Sequence, residues 1–359
     1  MNQMEARLWG TASTEKRPMP SRVDIVVSTD DAGKDQHPFE VDAAADQRTG
    51  ERRPRARANE SVAPPYAAFP LQPTEEEVRT GGVNGKTKAV RENVRFTLKI
   101  TYPQVEQEDV EAALWAWETF GGIGARTRRG FGALRLVSVD GRPVGLPAAH
   151  EVEAVVRAGL QEHVVDGTWP PDVPHLSPDL RMKISGGYTD PTSAWKHLVR
   201  RLQDFRQSRH RGTSSRHPGR SLWPEPDEIR RLTNRRFPGH AKALSGTRKF
   251  PRAAFGLPIR FHFKDERSGD PGDTTLRGRD CERMASPLIL RPLACANGQA
   301  VGLAAILQGT DVAALPGGLI LKDAPGDPAV EATLTANEAE GIPLLRQTPD
   351  VLQAFLKTL

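Results

Sequence analysis

An α+β protein is the fold class this sequence predicts, on three observations. Short runs with alternate-residue apolar period and amphipathic runs with helical period follow one another loosely through both halves. The chain has 359 residues, 37% of them in the apolar set, enough for about two domains that each bury a core. No tandem repeat replaces this pattern with a solenoid.

The elements are placed as follows. Residues 21–28 (SRVDIVVS) read as a strand rich in β-branched side chains. Residues 29–89 carry scattered Pro, Gly and charge without period, and predict a long, partly disordered insertion. One apolar island, residues 65–71 (PYAAFPL), is expected to dock on a domain. Residues 94–101 (VRFTLKIT) alternate, with Val94, Phe96, Leu98 and Ile100 on one face. A helix is predicted over 107–120, with Val110, Ala113, Leu114 and Trp117 at helical spacing and acids in its first turn. Residues 133–139 (ALRLVSV) read as the next strand, completing a β–α–β unit. Gly and Pro over 141–149 mark a boundary, giving domains of about 1–145 and 146–359. In the second, a short strand is expected at 180–184. Asp190-Pro191 starts a helix that runs to about Arg209, with Trp195, Leu198, Val199, Leu202 and Phe205 as its buried stripe. Strands follow at 257–263, 287–293 and 301–307, and a short helix at 350–358.

Composition excludes several classes. No stretch of about 18 uncharged apolar residues exists to span a membrane. The first twenty residues mix Glu5, Arg7, Glu15, Lys16 and Arg17 without an apolar block, so no signal peptide is expected and the predicted location is the cytoplasm. Cys281 and Cys295 fit no metal-ligand pattern, and neither a metal nor another cofactor is expected. The net charge of +5 is unevenly spread. Residues 195–252 hold sixteen basic and four acidic side chains, a local +12 that leaves the remainder at −7. Thirteen of the sixteen are Arg, whose guanidinium forks phosphate and stacks on bases. A polyanion site is the functional reading, a solvated helix face with a basic loop the bland one. Lys196, Arg200, Arg209, Arg211, Arg216 and Arg220 are the candidate RNA contacts. Trp223 follows as a base-stacking candidate, although a docked core Trp is the commoner role.

The most informative run is residues 121–132, GGIGARTRRGFG. Its glycines allow close backbone approach to a ligand, and Arg126, Arg128 and Arg129 stand among them. A phosphate-cradling nucleotide loop runs strand, loop, helix and ends in Gly-Lys-Ser/Thr. Here the order is helix, loop, strand, with no Lys, and a dinucleotide fingerprint fails on the same order. A helix C-cap accounts for Gly121 and Gly122, but not for three clustered arginines. Gly122, Gly124, Arg126, Arg128, Arg129, Gly130 and Phe131 are therefore the loop's candidate RNA-binding residues.

This run resembles the glycine-rich loop of the RAMP superfamily of CRISPR systems. With Leu8-Trp9-Gly10, the island at 66–71, residues 250–258 (FPRAAFGLP) and residues 283–288 (RMASPL), the chain resembles the family of the first subunit of the type III-B Cmr complex. The resemblance implies two ferredoxin-like (RRM-like) domains. It also implies a non-catalytic role holding target RNA distal to the guide's 5′ tag, and partners that are guide RNA, target RNA and other Cmr subunits. The family opens with a strand, a turn and a helix ahead of the segment matched here. The first domain is accordingly expected to be incomplete, lacking that strand and helix.

The enzyme alternative is a metal-independent RAMP endoribonuclease that processes guide RNA with a histidine as general base. His210 and His217 lie in the basic loop, yet no motif singles out any of the nine histidines. No acidic cluster has two-metal nuclease spacing, and no helix-turn-helix or zinc-finger spacing points to DNA. No catalytic residue is assigned.

Overall fold

The computed structural model describes residues 3–12, 18–45, 52–79, 88–170, 173–212, 219–236, 246–263, 269–309 and 311–359. The chain divides into two compact units, Met1–Trp117 and Glu118–Leu359. The first opens with helix α1 (Gln3–Trp9), then strands β1 (Asp24–Asp31), β2 (Lys34–Gln36), β3 (Phe39–Ala45) and β4 (Arg52–Ala58). Helices α2 (Pro65–Ala68) and α3 (Glu75–Arg79), strands β5 (Val90–Glu92) and β6 (Arg95–Thr101), and helix α4 (Gln107–Phe120) follow.

β1 and β6 pair antiparallel, with Ile25 opposite Ile100 and Val27 opposite Leu98. In β6 the expected alternation is present: Phe96, Leu98 and Ile100 are half-buried and their neighbours exposed. The small core of this unit joins Leu8, Val23 and Val110, with Ile100, Tyr102 and Leu114 against it. Glu106, buried, accepts from Arg7 at 2.8 Å and from Arg22, tying α1 and the approach to β1 to the start of α4. A short helix, α1, thus stands ahead of β1. It is charged, and is held both by buried Ala6 and Leu8 and by the ion pair of Arg7 with buried Glu106. Residues 29–89, expected as a long, partly disordered insertion, contain paired strands. Among their described residues β3 pairs with β4, and Phe39 is buried opposite Ala58. Backbone pairing needs no apolar period, so the sequence pattern does not show it. The island docks through buried Ala67 and Ala68, while Phe69 stays exposed.

The second unit takes in the end of α4 from Glu118, then the glycine loop and a minimal hairpin, β7 (Ser138–Val139) and β8 (Arg142–Pro143). Helix α5 (Val152–His163), strand β9 (Arg181–Tyr188), and helices α6 (Pro191–Arg206) and α7 (Glu225–Thr233) come next. Then come strands β10 (Ile259–Phe261), β11 (Thr274–Gly278), β12 (Leu288–Ala294), β13 (Ala300–Ile306), β14 (Leu319–Lys322) and β15 (Ala329–Val330). Helices α8 (Ala336–Glu340) and α9 (Val351–Leu356) end the chain. One sheet has the order β12-β13-β9, every pairing antiparallel, with central β13 buried throughout. Helix α6 crosses it closely: a Cβ at Gly302 of β13 would lie 2.8 Å from the Leu198 side chain, so glycine sets the approach. The other sheet, β10-β11-β14-β15, packs Phe261, Leu276, Leu319 and Leu321 with Ile229 and Phe250.

Two sequence expectations are corrected here. Residues 133–137 do not form the strand of a β–α–β unit, because side chains take their backbone groups: Arg291 donates to the Leu134 carbonyl at 3.0 Å, and Glu118 accepts from the Leu136 amide at 3.1 Å. Helix α5 is absent from the sequence expectations, although Val152, Val156 and Leu160 bury at four-residue spacing. The α6 stripe is as expected at Leu198, Val199, Leu202 and Phe205. Its cap is too, since Asp190 accepts from the Ser193 amide at 2.8 Å and from the Ser193 hydroxyl at 2.6 Å. These bonds, the side-chain one foremost, hold the Asp190 carboxyl below its ordinary value. A depressed folded-state value gives stability that is present above the ordinary carboxyl range and lost as pH falls through the folded value. Asp190→Ala should therefore lower stability by about 1 kcal/mol at neutral pH, with the difference closing in acid. Urea unfolding of both proteins at pH 7 and pH 3 checks it.

Candidate nucleic-acid interface

Backbone geometry explains the glycines first. Gly124, Arg126, Gly130 and Gly132 have φ of 85°, 61°, 87° and 63°, the left-handed region that glycine enters without strain. The Ile123 amide donates to the Gly132 carbonyl at 3.0 Å and closes the loop. A Cβ at Gly132 would lie 1.8 Å from the Ile123 carbonyl oxygen, and one at Gly130 2.5 Å from the Trp195 ring. At Gly122 it would meet the Gly132 carbonyl at 2.9 Å. A Cβ at Gly124 meets nothing within 4 Å. Residues 123–126 are exposed and form the loop's tip, whereas 127–129 make a half-buried 3-10 turn.

The arginines of that turn face the edge of the β12-β13-β9 sheet. The Pro287 carbonyl accepts from Leu307 on the β13 side, so by alternation the Ser286 and Leu288 carbonyls point outward. Arg128 donates to Ser286 O at 2.5 Å and Arg129 to Leu288 O at 2.9 Å. Burial pushes the Arg128 guanidinium below its ordinary value. Trp195 of α6 donates from its indole nitrogen to Arg129 O at 2.6 Å, and its ring meets Phe131 edge-on at 4.8 Å. Phe131 therefore packs against α6.

One residue missed from sequence governs both stems of the loop. Arg291, in the middle of β12 and fully buried, donates to Gly121 O and Leu134 O. Burial pushes it down to about 10, with the Glu118 charge opposing. The signal is an arginine inside the apolar run LILRPLA, which periodicity alone passes over.

The basic segment divides by environment. Lys196 and Arg200 sit four residues apart, hence on one face of α6, with Lys196 next in sequence to Trp195. Arg200 is 83% exposed, with Asp204 4.0 Å away. Arg209 and Arg211 are exposed beyond the helix end. Arg220 is instead packed against Asp227, and burial, then the Arg230 charge, lowers its value. Arg230 is held by buried Asp270 at 2.9 Å and Arg231 by Glu228. Arg216 and His217 lie outside the described residues. Trp223 is 1% exposed and donates to Phe205 O at 2.9 Å, so its ring belongs to the core and offers no face to a base. Among the described residues, no group of three or more His, Cys, Asp or Glu is placed to hold a metal, and no helix is long and apolar enough to cross a membrane.

An α+β chain with an arginine-rich glycine loop clamped to a sheet edge is the class this geometry defines. The family model described as RAMP superfamily matches residues 1–135, ending just past the loop. Among solved structures the chain is similar to one in the type III-B Cmr-beta complex bound to cognate target RNA. Identity there is 10%, coverage 99% of this chain and 86% of that one, and the TM-score 0.44. A chain of Cmr-beta with target RNA, AMPPnP and ssDNA matches at 10% identity, 99% and 85% coverage, and TM-score 0.43. No curated protein matches.

The loop geometry makes a stability prediction. Gly132→Ala forces a side chain into the Ile123 carbonyl and should cost about 2–3 kcal/mol. Gly124→Ala meets open space and should cost about 1 kcal/mol, the strain of its positive φ. Denaturant midpoints of the two variants rank them; equal losses would mean the loop does not hold this closure.

Proposed function

We propose that this chain is a non-catalytic RNA-binding subunit of a type III-B CRISPR ribonucleoprotein effector. It would act in the cytoplasm with guide RNA, target RNA and other Cmr subunits, holding target RNA distal to the guide's 5′ tag. The observation that carries the reading is the RAMP match over residues 1–135, which includes a loop whose exposed tip stands beside three arginines. A guanidinium has five N–H donors. The Ser286 carbonyl bond of Arg128 uses only part of that capacity, and a phosphate oxygen can take its other donors. The Trp195–Arg129 bond puts the start of α6 at the loop. Lys196 and Arg200 then continue a cationic line along α6 toward Arg209 and Arg211 just beyond its end, about 15 Å of helix from Lys196 to Arg206. Such a line suits an RNA backbone read by charge, with sequence chosen by the guide's base pairing.

Two ferredoxin-like domains are the fold that goes with this reading. Support comes from β9, α6, β12 and β13, which run strand, helix, strand, strand with β13 central and α6 on the sheet. In the first unit, β1 and β6 are neighbours followed by α4.

The test is RNA affinity against salt for the full chain and two unrelated single-stranded RNAs. Neutralising Arg126, Arg128 and Arg129 should weaken both equally and lower the salt slope by about 0.7 for each phosphate that no longer meets a cation. Neutralising Lys196, Arg200, Arg209 and Arg211 should do the same with little change in melting, since exposed charges contribute little to stability. An unchanged slope in both variants defeats the reading. Loss for one RNA alone would mean direct base reading, and cleavage of a labelled guide precursor by the isolated chain would mean an endoribonuclease.

A further inference from the structure

We infer that Arg291 is the positioning residue of this loop: one buried guanidinium ties its first residue, Gly121, to Leu134 beyond its last glycine, and so fixes the conformation in which the exposed tip meets RNA. The inference rests on the RNA-binding reading above.

The surroundings of Arg291 are unusual for a buried charge. A buried charge is ordinarily stabilised by an opposite charge in contact. Arg291 is 0% exposed, and the bonds its terminal nitrogens make go to two carbonyls. Glu118 acts on it through space, while its own carboxylate holds the Leu136 amide at 3.1 Å. Guanidinium and carboxylate thus both bind the backbone of the loop's stems. These stems have no strand ladder: residues 133–137 belong to no strand, and 121 follows the end of α4.

Within the loop the backbone bonds are Ile123 to Gly132, Arg129 to Arg126 and Gly130 to Thr127. They set its internal shape but not its direction. Direction comes from β12, which meets the loop at the outward carbonyls of Ser286 and Leu288 and through the Arg291 side chain. Arg128 and Arg129 are themselves candidate RNA contacts. Arg291 is buried and touches no ligand surface, so its effect on RNA can act only through the loop.

The test uses the full chain with Arg291→Met and Arg291→Lys. Methionine keeps much of the length and removes every donor; lysine keeps the charge but cannot bridge two carbonyls as a planar fork does. Three readouts are needed: amide exchange across residues 121–136, thermal unfolding, and affinity for poly(U) and a mixed-sequence RNA at several salt concentrations. For Arg291→Met we expect faster exchange at Ile123 and Leu136. Affinity should fall about tenfold, as for a loop competent a tenth of the time, with the salt slope unchanged because every phosphate keeps its cation. Arg291→Lys should lie between Met and the parent. Weakened protection with unchanged affinity overturns the inference, and so does a lowered salt slope, which would make Arg291 a direct contact. If Arg291→Met does not fold, Arg291→Lys decides: cooperative melting with weakened affinity supports it, and parental affinity with a loosened loop overturns it. Failure of the RNA-binding reading shows separately, as an affinity that ignores Arg126, Arg128 and Arg129.

Discussion

The open edge of β12 is the constraint on which the second unit's glycine loop depends. An edge strand presents carbonyls that nothing in its own sheet satisfies, and an uncovered edge invites pairing with another chain. Here the outward carbonyls of Ser286 and Leu288 are met by Arg128 and Arg129. The loop stands where a neighbouring strand would stand and offers guanidinium donors in place of amides. For the turn to lie that close, Gly130 must face Trp195 without a side chain between them. For it to close, Gly132 must sit against Ile123. The spacing of the glycines thus follows from packing at three positions, while Gly124 alone faces open space among the four placed here.

Local chemistry is the part of the fold most legible in the sequence. The Asp190 cap, the α6 stripe, the alternation of β6 and helix α4 all express short-range rules, and the structure contains each of them. Illegible are the features set by distant partners. Residues 133–137 alternate like a strand, yet Arg291, 157 positions from Leu134, takes its carbonyl instead. The α1 helix depends on Glu106, 99 residues on from Arg7. Among the described residues of 29–89, the strands β3 and β4 join by backbone bonds that leave no apolar signature.

Charge shows the same division. Counted along the chain, residues 195–252 form one basic block. In the fold, part of that block is neutralised by carboxylates from elsewhere: Asp270 on Arg230, Glu331 on Lys249. Glu225, fully buried, holds the Arg252 amide at 2.9 Å, and Arg252 in turn reaches the Arg206 carbonyl. Among the described residues that remain exposed, Arg200, Arg209 and Arg211 lie along one helix and its exit, and Arg235, Arg236 and Arg248 lie elsewhere in the block. A count of sixteen therefore overstates the surface field, although its location along the chain is informative.

The two uses of arginine meet at the loop. A side chain that only bound phosphate would be best left exposed, as Arg200 is, and one that only braced a strand would be best buried, as Arg291 is. Arg128 and Arg129 stand between: half-buried, bonded to a strand edge, and adjacent to an exposed tip. Partial burial fixes their geometry in advance, so less side-chain freedom is lost when an anion arrives. It also lowers the local dielectric, which strengthens each charge-assisted bond. On the proposed RNA-binding reading, a loop held in this way would bind by orientation as well as by charge. The orientation component would be insensitive to salt and the charge component would not, so salt dependence would separate the clamp from the contact.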